Sequence, residues 1–160
     1  MGRNIPWSDN LQCKVIDFTT ATSETDTGWD LPDHAIVEDV MVYVDTNESG
    51  KTLDVGTYSS ESGGDADGFL DGISLATAGW VLPGATLTTG SSETYFSAST
   101  YGALLAHYVA GSDAATDHGV FARQNYSTAS QTAKSVTYTG VGTPTDVAGS
   151  IYIFYRILPT

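Results

Sequence analysis

The stretch from Ile36 to Gly79 leaves this chain few folds to choose from. It opens with a long apolar run, IVEDVMVYVDT, in which Val40, Val42 and Val44 fall on one side and Met41 and Tyr43 on the other. Apolar residues at both parities mark a central strand covered on two faces. A turn at Asn47–Gly50 follows, and Thr52–Tyr58 returns with Leu53 and Val55 on one face and Asp54 on the other. The spacing predicts a β-hairpin. An acidic, glycine-rich turn, GGDADGFLDG, then leads to a second apolar return, ISLATAG. Strands joined this way seed an antiparallel sandwich, and the stretch contains no catalytic set.

The rest of the chain continues the pattern. Residues 1–12 combine Pro6, Trp7, Asp9 and Asn10 without periodicity and read as an extended arm. Cys13–Thr20 is a first strand with Ile16 and Phe18 on one face, and Cys13 is expected as a small core residue. Thr22–Asp33 reads as a polar loop around Trp29, closed by Leu31-Pro32-Asp33. Ala66–Ile73 has room for one helical turn carrying Phe69 and Leu70 inward, after which Ile73, Leu75, Trp80, Val81 and Leu82 return to the core around Gly79. Further strands are expected in Ala85–Thr89, Tyr95–Val109, Val120–Tyr126 and Val136–Val141. The last run, Ser150–Leu158, is apolar at both parities, with Ile151, Ile153, Tyr155 and Ile157 against Tyr152, Phe154 and Leu158, so the chain closes inside a sheet. Eight or nine short strands and no long helix predict an all-β fold: an antiparallel two-sheet sandwich, jelly-roll-like, forming a single domain over residues 13–160 behind the arm.

Composition narrows the function. Serine and threonine number 16 and 22 while lysine and arginine together number 6, which favours turn-rich β structure over amphipathic helices. The net charge of −13 is concentrated in residues 1–72, where fifteen acids face only Arg3, Lys14 and Lys51. Such a field repels phosphate backbones and anionic lipid, so nucleic acid and membrane are not expected partners. The nearly neutral, tyrosine-rich second half is the better candidate for a subunit contact. A single cysteine builds no disulfide framework. MGRNIPW has no signal-peptide core, and no apolar run approaches a membrane span, which predicts a soluble protein made in a cytoplasm.

Candidate sites are sparse. Asp65, Asp67 and Asp71 invite a calcium reading, but an EF-type loop started at Asp67 puts Phe69 at its third position and Ala78 where a bidentate glutamate belongs. A solvated, glycine-hinged turn is the expected reading, and no metal or other cofactor is expected. Ser112, Asp113, Asp117 and His118 lie close together, yet triad members come from separate parts of a chain, and the G-x-S-x-G elbow is missing. His34 and His107 lack metal-ligand spacing. Nothing here predicts an enzyme. Tyr95, Tyr101, Tyr108, Tyr126 and Tyr138 suit core or subunit contacts better than a sugar groove. Trp7 on the arm would tuck under its own domain or anchor on a neighbour.

The runs LPDHAIVEDVMVYVDT, KTLDVGTYSSESGGDADGFLDGISLATAG, SVTYTG and AGSIYIFYRIL resemble the small virion proteins of tailed bacteriophages that decorate or cement the capsid. The resemblance covers residues 31–82 and 135–158. It implies a β-sandwich, often a jelly roll, that sits as a homotrimer on the capsid surface and bridges subunits of the major capsid protein, its partner. It also implies a protein made in the bacterial host cytoplasm and located in the virion. Ile5, Pro6 and Trp7 of the arm, with Tyr152 and Phe154 of the last strand, are then the expected capsid or subunit contacts. The alternative is a carbohydrate- or receptor-binding sandwich of a head fibre or tail, using loops around Tyr101 and Asp113.

Overall fold

The computed structural model describes residues 11–32, 35–81, 86–89, 94–97 and 134–157. Ten strands run through them: β1 (Gln12–Thr19), β2 (Thr25–Leu31), β3 (Ala35–Thr46), β4 (Thr52–Thr57), β5 (Leu70–Ser74), β6 (Gly79–Val81), β7 (Thr86–Thr89), β8 (Thr94–Ser97), β9 (Lys134–Val141) and β10 (Ala148–Ile157). They form a front sheet in the order β1-β10-β3-β6, a back sheet in the order β2-β9-β4-β5, and a separate β7–β8 pair. The predicted antiparallel two-sheet sandwich is therefore the fold.

The pairing gives its topology. With the β7–β8 pair set aside, the first strand pairs with the last, β1 with β10; then β2 pairs with β9, β3 with β6 and β4 with β5. The chain is one long antiparallel ribbon, folded at the β4–β5 connection and rolled so that successive pairs fall in opposite sheets. That winding is a jelly roll. It also corrects one expectation. The turn at Asn47–Gly50 joins β3 of the front sheet to β4 of the back sheet, so it is an arch between layers; a periodic pattern on either side of a turn does not say whether the two strands pair.

Between the sheets, alternate residues of each strand interdigitate. Phe18, Val40, Val42, Val44, Ile151 and Ile153 come from the front, and Leu53, Val55, Leu70, Ile73 and Val136 from the back, all fully buried or nearly so. Phe18 meets Tyr138 across the layers at 6.2 Å between ring centroids, edge-on at 63°. Each such aliphatic side chain contributes about 1.5–3 kcal/mol by leaving water. Phe69 and Leu70 are inward as expected, but on a turn that runs straight into β5 rather than on a helical turn.

β2 stands where a polar loop was expected. Its TDTGWDL alternates in burial, with Thr25, Thr27, Trp29 and Leu31 facing the interior and Asp26, Gly28 and Asp30 facing out. Threonines replace aliphatic residues at the inward positions, which hides the period; the Thr27 hydroxyl donates to the Val136 carbonyl at 2.8 Å. Trp29 packs at 5.5 Å against Tyr155.

At one end of the sandwich the connections hold one another. The Glu48 carboxylate, through Oε2, accepts from the backbone N–H groups of Thr145 at 2.7 Å and Asp146 at 3.1 Å. Lys51 Nζ donates to the Gly142 carbonyl at 2.6 Å.

Candidate contact surface

The two outer faces differ in chemistry. On the front sheet the register sets three rows across the strands. One is Val15, Tyr152 and Met41; the next is Asp17, Ser150, Tyr43 and Trp80; the third is Cys13, Phe154 and Asp39. Met41, Tyr43, Tyr152 and Phe154 are half-buried by their neighbours, while Trp80 is 55 % exposed, Leu11 49 % and Val15 46 %. The Trp80 ring leans on Tyr43 at 5.2 Å and on Tyr152 at 4.8 Å. Three aromatic rings braced against one another lose little freedom when a partner covers them, and a contiguous apolar patch on a strand face marks an interaction surface. Beside it lies an open depression of about 400 Å³, lined by Leu11, Met41 and Phe154 with Glu38, Asp39 and Arg156. Arg156 Nε pairs with Glu38 Oε1 at 3.1 Å.

The back sheet presents acid instead. Asp26 and Asp30 of β2, Asp54 of β4 and Asp71 of β5 face outward or lie at the surface, joined by Glu61, Asp65 and Asp67 of the loop between β4 and β5. That loop folds over Gly56, where an added Cβ would lie 2.0 Å from the Asp65 carbonyl oxygen. The Thr57 N–H donates to the Asp65 carbonyl at 2.7 Å, and the Asp65 N–H donates to Thr57 Oγ1 at 3.0 Å. A hydrogen bond between the Asp65 and Asp67 carboxyls, then partial burial, then the Asp67 charge push Asp65 up to about 6. Asp54 is also raised, by burial first and by the charges of Asp71 and Asp67, although the Gly72 N–H at 2.8 Å opposes the shift. Glu24 goes the other way: burial works to raise it, but donations from Ser59 and Thr137 prevail and hold it below the usual carboxylate range. Among the described residues no group of three or more His, Cys, Asp or Glu side chains is arranged to hold a metal ion.

No family model matches the chain. No curated protein does either. Among solved structures the chain is similar to one in the cyanophage Pam1 capsid asymmetric unit, at 16 % identity and a TM-score of 0.49, over 99 % of this chain and 92 % of that one. Those figures lie below the level at which likeness of shape implies likeness of role.

Of the expected contact residues, Tyr152 and Phe154 stand side by side on β10 in the outer face of the front sheet, next to Trp80 and the depression respectively. Ile5, Pro6 and Trp7 lie outside the described residues, as do His34, Tyr101, His107, Tyr108, Ser112, Asp113, Asp117, His118 and Tyr126. Tyr138 belongs to the core, 7 % exposed. Three placements are corrected. Trp80 points out of the sandwich, Cys13 is exposed rather than a core residue, and Met41 and Tyr43 face the open side of β3, which none of the described residues covers. The division between acid and apolar surface follows the two sheets more closely than the two halves of the chain.

Proposed function

We propose that this chain is a structural protein of a tailed-phage virion, which binds the outside of the capsid as a homotrimer and stabilises it by bridging major capsid protein subunits. The observation that carries the proposal is the aromatic outer face of the front sheet, with Trp80 exposed and held by Tyr43 and Tyr152. Such a face is suited to a protein partner, because interface cores favour tyrosine, tryptophan, phenylalanine and methionine over charge. The sequence resemblance to capsid decoration proteins supports the same reading. The acidic back sheet then faces solvent, where its field keeps neighbouring particles apart. In this reading the protein performs no catalysis and uses no cofactor; it is made in the host cytoplasm and works on the virion surface.

The second reading, a carbohydrate- or receptor-binding module of a head fibre or tail, draws on the same exposed Trp80 ring, since aromatic faces also stack on sugars. Sedimentation of the purified protein with capsids that lack it separates the two. Saturable binding in multiples of three copies per local symmetry site, with a silent glycan array, is the expected result. A folded protein that stays in the supernatant while binding glycans would reverse the choice.

A further inference from the structure

The loop between β4 and β5 is fastened to the back sheet differently at its two ends. We propose that its second half, residues 65–68, is a pH-operated flap, seated on the outer face of β4 in mild acid and released near neutral pH, while residues 59–62 stay in place. The seat is a close backbone contact. Val55 points into the core, so Gly56 points outward, and the backbone of Asp65 and Ala66 lies where a side chain at Gly56 would be. The Thr57 N–H donates to the Asp65 carbonyl at 2.7 Å, and the Asp65 N–H donates back to Thr57 Oγ1 at 3.0 Å. The Gly68 N–H donates to the same Asp65 carbonyl at 3.1 Å and closes the turn.

Seating also brings like charges together. The carboxyls of Asp65 and Asp67 share a hydrogen bond on the loop, and Asp71 of β5 adds its charge. Asp54 of β4, whose Oδ1 accepts from the Gly72 N–H at 2.8 Å, feels both Asp71 and Asp67. A bond between two carboxyls needs a proton in it, and once both are ionised they repel. Lys134 of β9 reaches the loop but donates to the Ser62 carbonyl at the other end. The Asp67 bond, then partial burial, then the Asp67 charge push Asp65 up to about 6, so the seat is favoured below that pH and weakened above it. Residues 59–62 are held otherwise. The Tyr58 N–H donates to the Ser135 carbonyl at 2.9 Å, the Ser59 N–H to Glu24 Oε1 at 2.7 Å, and the Ser135 N–H to Glu61 Oε1 at 3.3 Å. A backbone carbonyl does not titrate, and Glu24, despite its burial, is kept below the usual carboxylate range by Ser59 and Thr137.

Amide exchange of the whole chain at pH 5 and pH 7.5, read residue by residue by NMR and corrected for the intrinsic rate at each pH, tests the flap. The Thr57 and Asp65 amides are expected to lose about tenfold or more in protection at the higher pH, because each unit of a raised carboxyl value is a tenfold preference for the seated state. Tyr58 and Ser59 are expected to keep theirs. Asp65→Asn, which cannot ionise, should hold its protection at both pH values, and Asp67→Asn, which removes the neighbouring charge, should shrink the loss. Equal wild-type protection of Thr57 and Asp65 at the two pH values overturns the proposal. So does a loss that both variants show in full, which would assign it to another group, or a loss shared equally by Tyr58 and Ser59, which would mean that the loop opens as a whole.

Discussion

Asp65 holds its proton more tightly in the folded protein than an unfolded aspartate does, which is a statement about stability as well as about titration. Because the folded value is raised, its contribution is fully present below about pH 4, the ordinary aspartate value, and is lost as pH rises through about 6. Asp65→Asn is therefore expected to raise the melting temperature relative to wild type at pH 7.5 and to lose that advantage at pH 4.5, read by thermal unfolding at both. Glu48 has the opposite sign. Backbone N–H groups of Thr145 and Asp146 hold it below the usual range, so its contribution is present above about pH 4.3 and fades as pH falls through the depressed value. Glu48→Gln should melt lower than wild type at pH 7 and converge with it in acid. Single residues were unevenly legible in the sequence. Leu53, Val55, Phe69 and Leu70 could be placed inward from their runs, and Cys13 shares the parity of Val15 and Asp17 rather than of Ile16 and Phe18, so its outward position was available from the alternation. Trp80 was obscured because it opens an apolar triplet with Val81 and Leu82, in which no polar residue marks the outward position.

The strands were legible where aliphatic residues alternate and obscure where the chain uses hydroxyls or close backbone contacts instead. β3, β9 and β10 could be recognised from their periods. β2 was hidden because its inward threonines look like loop residues, and its bulge between Asp26 and Asp30 interrupts the ladder. The β4–β5 connection was read as a solvated turn, yet it is pinned to β4 and β9: Phe69 N–H donates to the Val55 carbonyl of β4 at 2.9 Å, and Lys134 Nζ of β9, almost wholly buried, donates to the Ser62 carbonyl. Gly56 is the hinge of that packing. Gly56→Ala drives a methyl into the Asp65 backbone, and the loop must lift to admit it. The expected cost is about 1–3 kcal/mol, or roughly 3–10 °C in melting temperature, without loss of the sheet signal by circular dichroism. A melting temperature equal to wild type would mean that the loop is free to move and does not brace β4.

At the scale of the molecule, rolling one ribbon into two sheets decides which residues become surface. The jelly roll covers one parity of β3 and β10 and leaves the other open, so two strands that look buried on both sides in the sequence supply a half-exposed aromatic face. Apolar residues at both parities fit a strand between two layers of its own domain and a strand that another molecule covers, and the sequence alone does not separate them. Among the described residues nothing lies over Met41, Tyr43, Tyr152 and Trp80. Under the proposed function that face is the contact with the capsid. Its most direct test is the occupancy of capsids by a Trp80→Ala, Tyr152→Ala protein alongside wild type, with thermal unfolding of the free proteins as control. Both side chains lie outside the core, so the two proteins should unfold within a few degrees of each other, while loss of a central aromatic anchor costs about 2 kcal/mol or more, roughly a thirtyfold weaker association. Equal occupancy by wild type and variant would contradict the account and move the contact to another face.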